Sequence, residues 1–354
     1  MSRTDTHLRQ DEIALVPPHF TVGRVLFSRP AGGTANASAV VVTASGQYVL
    51  KRRNPRYCAP AQLVYDHHVL SAARAAGLPA PEVVKTRSGS RWLEHEGRIY
   101  ELYRFIEGTT EAHPNEDQLD AAGDMLGRFH HVTERLAPPG GKQLGRLWDP
   151  RKAADLLRPL QTRAMDGHLG SLLANSATEA TERIELLLTS LQQIRMRLTD
   201  ETYWSLPQTI IHADWHPANV KYQGTQIVGI FDFDWVDRQP RMVDVADGLL
   251  WFAGERSRVQ GRGDIWTLTE TPLLAWERMQ RFMRAYATHY LPSAEELAAL
   301  PDLMAARWIY SRVDAADRKV PEAEQIRFLL RDVEAPLSWL DQHRSDLVGP
   351  QWWS

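Results

Sequence analysis

Between Ile211 and Val236 the chain reads IHADWHPANVKYQGTQIVGIFDFDWV. Two short apolar runs, Ile210-Ile211 and Ile227 to Phe231, each end in a polar cluster. The first cluster holds His212, Asp214, His216 and Asn219, and the second is Asp232-Phe233-Asp234. Gln223-Gly224 makes a turn between the runs, so the clusters are expected at neighbouring strand ends. Transfer of a phosphoryl group builds negative charge that metal ions and cations must hold. Magnesium takes hard oxygen ligands, one or two from protein with phosphate and water filling the rest. Asn219 and Asp232 offer one amide and one carboxylate oxygen and are the expected magnesium ligands. Asp214 precedes Asn219 within the same loop, where it can orient an attacking hydroxyl and accept its proton.

Other readings of these residues carry less. His212-x-Asp214-x-His216 also fits a fragment of a zinc site, so a metallohydrolase built on His212, Asp214 and His216 is a remote alternative. A hydrolytic site would need further ligands. His212 reads as a structural group holding the loop by hydrogen bonds, and His216 as a loop or phosphate-side contact. Asp234 could bind a second metal or be structural. His130-His131 falls in a helix and reads as surface; His67-His68 is a similarly weak signal. Trp251, Trp266, Trp276 and Trp308 read as packing residues.

A chain of 354 residues fits one large domain or two lobes. Hydrophobic and charged contents of 43% and 24% suit a soluble globular protein. A net charge of −3 gives no electrostatic case for a nucleic-acid partner or an anionic membrane surface. Cys58 is the single cysteine, which excludes an internal disulfide and a multi-cysteine metal site. No signal-peptide h-region and no run long enough to span a bilayer occur, so a cytoplasmic protein is expected. The sequence carries no signal for oligomeric state.

The elements that must position these residues fall into two parts. Residues 1–19 read as a polar, loose arm. Residues 20–108 read as β-rich, with strands over Val22–Phe27, Ala39–Thr43, Tyr48–Lys51, Val83–Lys85, Trp92–Leu93 and Ile99–Phe105. One helix interrupts them, from Gln62 to Ala76, closed by Gly77 and Pro79. Residues 109–354 read as mainly helical, over Gln118–Leu136, Arg151–Thr199, Leu273–Tyr290, Ala294–Val313 and Glu322–Gln342. This is an α+β arrangement: a β-rich N-lobe and a helical C-lobe carrying the acidic motif on its loops.

His212-x-Asp214-x-His216-x-x-Asn219 followed by Asp232-Phe233-Asp234 resembles the aminoglycoside phosphotransferase and choline kinase family. These are small-molecule kinases with a protein-kinase-like, two-lobed fold. The resemblance implies ATP and Mg2+, with Asp214 as the catalytic aspartate and Asn219 and Asp232 at the metal. Pro240 to Ala246 resembles the family's D-P-x-x-D-L-A stretch, with Asp244 as the matching acid; it is expected to cap a helix start. Val49-Leu50-Lys51 resembles the strand whose lysine pairs with the α- and β-phosphates. Asp66 stands where the family has a glutamate to hold that lysine. The loop from Ala31 to Asn36, with Gly32 and Gly33, would cover the phosphates. Backbone groups of Arg104 to Ile106 would meet the adenine. The implied function is transfer of the γ-phosphoryl group to a hydroxyl of a small molecule: an aminoglycoside, a homoserine-like amino alcohol, a choline-like alcohol or a sugar. A nucleotide-binding pseudokinase is the alternative from another class, for which only the Asp66 departure speaks.

Overall fold

The structure, a computed structural model, describes residues 8–31, 36–142, 144–170, 176–258 and 264–353. Gly32 and Gly33, expected over the phosphates, lie outside these residues. The chain begins with a short helix, α1 (Gln10–Leu15), in place of the loose arm. Glu12 holds it down: although on a polar segment, this side chain is buried and accepts from Arg52, Arg98 and Tyr100 at 2.7, 2.7 and 2.6 Å.

An antiparallel sheet follows, built from β1 (Val25–Pro30), β2 (Ala37–Thr43), β3 (Gly46–Arg52), β4 (Val83–Val84), β5 (Leu93–His95) and β6 (Arg98–Arg104). Its order is β1-β2-β3-β6-β4, with β5 paired to β6. The first strand starts three residues later than the β-branched run suggests, because Gly23 (φ 78°) turns the chain before it. Alternation along β3 sorts its side chains. Tyr48 and Leu50 face a core with Val41, Tyr100, Leu102 and Phe20, and Arg52 on the same face reaches Glu12 of α1. Lys51 takes the opposite face, in register with Glu101 of β6. Helix α2 (Pro60–Ala75) packs there, with Asp66, His67 and Val69 buried.

The larger part is helical: α3 (Glu116–Thr133), α4 (Pro150–Met165), α5 (Ala177–Arg197) and α6 (Asp200–Ser205) precede the acidic motif. The motif itself sits on two ribbons. Strand β7 (Gln208–Ile211) leads into the first polar cluster, and β8 (Val220–Gln223) and β9 (Gln226–Ile230) form the hairpin to the second. Strand β10 (Asp237–Pro240) returns beside β7. Helix α7 (Met242–Gly248) continues as a π-helical turn through Ala253, then come α8 (Trp276–Ala287) and the long α9 (Ala294–Lys319). The last expected helix is instead α10 (Gln325–Leu330), α11 (Glu334–Gln342) and α12 (Arg344–Leu347), broken at Asp332 with φ 48°.

Helices α3 and α8 approach closely because Gly123 has no Cβ; one added there would collide with the Phe282 carbonyl. One continuous apolar core joins α3, α4, α5, α7 and α9 to β7 and β9. The two loops bearing the acidic motif therefore rest on rigid elements. No described helix is long and apolar enough to cross a membrane.

Candidate active site

The loop after β7 turns at Ala213, a non-glycine residue at φ 64°. Such a turn is disfavoured for an L-residue by about 1–2 kcal/mol, so something must hold it. Asp244 does: its carboxylate accepts the amides of His212 and Ala213 at 2.6 and 2.7 Å. His130 Nε2 lies 3.1 Å from the same carboxylate and its Nδ1 lies 3.1 Å from the Tyr286 hydroxyl. Asp244 thus caps a loop and not its own helix, whose N-cap is Arg241. His130 is fully buried and part of this anchor, contrary to its expected place at the surface. His212 turns inward, with Nε2 2.8 Å from the Phe231 carbonyl, and burial holds it below the usual histidine range. It ties the first loop to the second.

Asp214 then projects into the cleft with its side chain 24% exposed. Oδ2 accepts from Asn219 Nδ2 at 3.0 Å and lies 3.2 Å from His216 Nε2. His216 Nδ1 accepts the Ala218 amide at 3.2 Å, which leaves Nε2 as the protonated nitrogen that donates to Asp214. Oδ1 accepts from Arg307 Nη2 of α9 at 3.1 Å. Burial would raise the pKa of this carboxyl, but His216 and Arg307 outweigh it and hold Asp214 well below the usual carboxylate range.

Asn219 Nδ2 also donates to the Asp214 carbonyl at 2.9 Å, which fixes the amide's orientation. Its backbone carbonyl accepts from Phe231 N at 2.8 Å, so Asn219 and Asp232 are placed side by side by the β8–β9 ribbon. Asp232 has φ 64° as well, a second left-handed residue at the site. One of its oxygens accepts from Lys51 Nζ at 2.9 Å. Asn219 Oδ1 and Asp232 Oδ2 accept no hydrogen bond among the described residues. Two uncommitted oxygens on neighbouring residues, one amide and one carboxylate, are a fitting donor set for magnesium.

Lys51 Nζ spans Asp232 and Asp234, the latter at 2.7 Å, and the two carboxylates raise its affinity for the proton against burial. The expected Lys51–Asp66 pair is not formed. Asp66 is buried and holds Arg53 at 2.5 Å and Lys142 at 2.7 Å. Both carboxylate oxygens of Asp66 are taken by these two cations, and Lys51 turns to Asp232 and Asp234. Arg53 also bonds Glu101 at 3.1 Å and lies 3.2 Å from Asp234. Glu101 is completed by His67 Nε2 at 2.7 Å and the Tyr103 hydroxyl at 2.9 Å. Asp234 accepts from Asn36 at 3.0 Å as well, and its carbonyl accepts from Lys142. Asp234 is enclosed by protein donors, which favours the structural of its two roles. Formally three cations (Lys51, Arg53, Lys142) face four carboxylates (Asp66, Glu101, Asp232, Asp234), leaving one negative charge in a cleft suited to a divalent cation.

At the strand leading out of the sheet, the Arg104 amide is committed to the Glu82 carbonyl at 2.9 Å. The Ile106 carbonyl accepts from Lys221 Nζ at 2.6 Å. These two backbone groups are engaged within the protein, so the segment Arg104 to Ile106 has fewer groups to offer a base than its sequence suggests. No group of three or more His, Cys, Asp or Glu side chains among the described residues is arranged to hold a metal, and His212 faces Phe231. Both observations count against the metallohydrolase.

Residues 27–286 match the sequence profile described as the phosphotransferase enzyme family. The chain belongs to the phosphotransferase enzyme family. It is 28% identical over 221 residues to a homoserine kinase of Zymomonas mobilis subsp. mobilis, covering 60% of this phosphotransferase and 61% of that relative. It therefore spans less than two thirds of that relative's length. A homoserine kinase of Bradyrhizobium sp. is 25% identical over 348 residues, 98% of this chain and 90% of the relative. Among solved structures, an aminoglycoside phosphotransferase from Alicyclobacillus acidocaldarius superposes with a TM-score of 0.64 at 16% identity, covering 98% of each chain. A microcompartment-associated aminopropanol kinase gives 0.63 at 18% identity, covering 93% of this chain and 96% of that one. The α+β, protein-kinase-like fold expected from the motif is the fold of this phosphotransferase.

Several site residues of the phosphotransferase carried no legible signal. Arg307 lies in the middle of a helix whose pattern reads as core, and Lys142 follows a Gly-Gly break that reads only as a loop. Arg53 and Glu101 are separable from surface charges only once β3 and β6 are paired in register. The period of β3 was a usable signal: Lys51 and Arg53 share a face that Arg52 does not.

Proposed function

We propose that the protein is an ATP- and Mg2+-dependent kinase that transfers the γ-phosphoryl group to a hydroxyl of a small molecule. The observation that carries this is the fixed disposition of Asp214 beside Asn219 and Asp232, with Lys51 bridging Asp232 and Asp234. The acceptor hydroxyl would donate to Asp214. Its oxygen attacks the γ-phosphorus, the bond from that phosphorus to the β–γ bridging oxygen breaks, and ADP leaves; the hydroxyl proton passes to Asp214 or onward to water. A carboxylate held well below its usual range is a weak base. Asp214 is therefore suited to orienting the hydroxyl, with proton transfer late, as a loose transition state permits. Asn219 and Asp232 would hold magnesium, which supplies charge neutralisation at the phosphates when bound. Lys51 would move from its carboxylates to the α- and β-phosphates. Asp66, Arg53 and Lys142 hold α2 and the Asp234 turn in place behind it.

Among the acceptor classes, a homoserine-like amino alcohol has the support of the curated relatives, which are named homoserine kinases at 25–28% identity. The test is ADP release with ATP and magnesium over pools of amino alcohols, hydroxy amino acids, sugars and aminoglycosides, with Asp214→Asn as control. Release confined to one pool and lost in the variant is expected. Absence of nucleotide binding in the presence of magnesium would sink the kinase reading and favour none of the four pools.

A further inference from the structure

Beyond the phosphoryl-transfer residues, the helical part contains an arginine that its surroundings do not account for. Arg256 follows the π-helical turn and is only 3% exposed. Its guanidinium lies 4.3 Å from the Trp251 ring and 5.7 Å from the Trp308 ring. Among the described residues its one hydrogen bond is a long one, Nη1 to the Thr267 carbonyl at 3.4 Å. Nε and Nη2 have no partner among these residues, and neither has the buried Trp251 Nε1 beside them. The nearest acid, Glu270, is occupied with Ser257 and the Arg258 amide. Burial with so little compensation pulls Arg256 down to about 9.

Its neighbour Arg312 shows what a purely structural buried arginine looks like here. It stacks 4.1 Å over the same Trp308 ring, but its terminal nitrogens reach the carbonyls of Leu329, Arg331 and Thr269. Arg256 has no such set. The uncommitted groups around it are all donors: the N–H groups of two guanidinium nitrogens and an indole N–H. Buried donors left without acceptors are disfavoured, and a set of donors on a cation is complementary to a carboxylate. The place is also right. Arg307, which holds Asp214, lies 5.6 Å from the Trp251 ring, so one indole separates Arg256 from the partner of the proposed hydroxyl-orienting group.

We propose that Arg256, assisted by Trp251 Nε1, binds a carboxylate on the acceptor, so that the enzyme selects hydroxy acids over the corresponding alcohols. This rests on the kinase reading above for the position of the hydroxyl. It also gives a physical reason against polycationic aminoglycosides, whose ammonium groups would be repelled by Arg256.

The experiment uses matched pairs differing only in the carboxylate: L-homoserine with 3-aminopropan-1-ol, L-threonine with 1-aminopropan-2-ol, and L-serine with ethanolamine. Turnover and calorimetric binding are measured for the full chain and for Arg256→Gln and Arg256→Lys. We expect the acid of at least one pair to be preferred by about 100-fold in kcat/KM, since a site built for a polar group rejects the analogue lacking it. Arg256→Gln should erase that preference through KM, leaving the KM for ATP unchanged, and Arg256→Lys should retain part of it. An unchanged ATP affinity also shows that the variant is folded. Equal or better use of the alcohols by the parent protein overturns the proposal, as does an Arg256→Gln variant that loses acid and alcohol alike. If ATP is not bound at all, the kinase reading fails, and calorimetry of the acids alone still decides: no binding of any acid overturns the carboxylate site, and binding lost in Arg256→Gln supports it.

Discussion

The guanidinium of Arg307 meets the carboxylate of Asp214 at 3.1 Å although 93 residues separate them in the chain. The same side chain grips Asp247 through Nε and lies 4.0 Å over the Trp148 ring, so it is held on three sides. Asp247 is in turn fully buried, and burial pushes its carboxyl up to about 7 against the pull of Arg307. Helix α9 thus fixes both the position and the ionisation of Asp214.

Arg307→Met should expose this coupling. Losing the guanidinium beside it raises Asp214 from its depressed state toward the ordinary carboxylate range. The sign follows: Asp214 stays ionised well into acid in the parent protein, so activity there survives; in the variant, protonation begins at higher pH and the acid limb of kcat/KM moves up by about one unit. Profiles carried down into the acid range below the ordinary carboxylate pKa measure it. A limb that stays in place would show that Asp214 does not govern it.

Asp214→Asn keeps the side chain's shape and replaces the carboxylate that would accept the substrate proton. ADP release should fall by about 10²–10⁴-fold, the usual worth of such a group. Nucleotide affinity should change little, because Lys51, Asn219 and Asp232 remain. An equal loss in nucleotide affinity would assign Asp214 to donor binding.

The legible and illegible parts of the site divide along a physical line. Asp214, Asn219 and Asp232 could be read because they lie on one short segment where apolar runs stop at polar clusters, a local pattern. The pairing of Asp66 could not, since it depends on which cations α2 meets across the sheet. Lys142 takes one side of Asp66 from a loop 76 residues away, and Arg53 the other. Arg307 and Arg256 were hidden for the same reason: their partners are assembled by the packing of α7 and α9. The sheet and most helices followed from periodicity, whereas α1 did not, because a hexamer this short becomes a helix only when Glu12 finds Arg52, Arg98 and Tyr100.

Lys51 and Arg53 share a strand face and yet should fail differently. Lys51→Met leaves Asp232 and Asp234 without their common cation, at the edge of the cleft. Its effect should be kinetic, a rise of roughly 10-fold or more in the KM for ATP, about the worth of one charge-assisted hydrogen bond. Arg53→Met takes away the cation shared by three interior carboxylates, Asp66, Glu101 and Asp234, and should remove about 3–5 kcal/mol of stability. Urea unfolding beside ATP kinetics separates the two. Similar melting of both variants would contradict the division.

Removal of the metal tests Asn219 and Asp232 together. With EDTA in excess, ADP release should vanish, and magnesium should restore it. Asn219→Leu should raise the magnesium concentration needed for half activity by about 10-fold, since metal-site substitutions carry losses of this order. The variant also frees Asp214 Oδ2 of one donor, so its maximal rate should fall as well. A magnesium requirement identical to the parent's would place the ion elsewhere.

Glu12 offers a test of the fold remote from the chemistry. Burial alone would raise its pKa, but Tyr100, the Arg9 amide, Arg52 and Arg98 bring it down to about 2. Because the folded value lies below the unfolded one, its stabilisation is fully present above the unfolded range near pH 4.5 and is lost as pH falls toward 2. Glu12→Gln should therefore destabilise the protein at neutral pH by about 3 kcal/mol, the order seen when one partner of a buried ionic cluster is removed. Arg52 and Arg98 would be left facing a neutral amide, and α1 should detach first. The gap between parent and variant should narrow in acid, measured by urea unfolding at neutral pH and again near pH 3. A gap that is the same at both would mean that α1 is held by Val16 and Phe20 packing under the sheet, with the carboxylate contributing nothing.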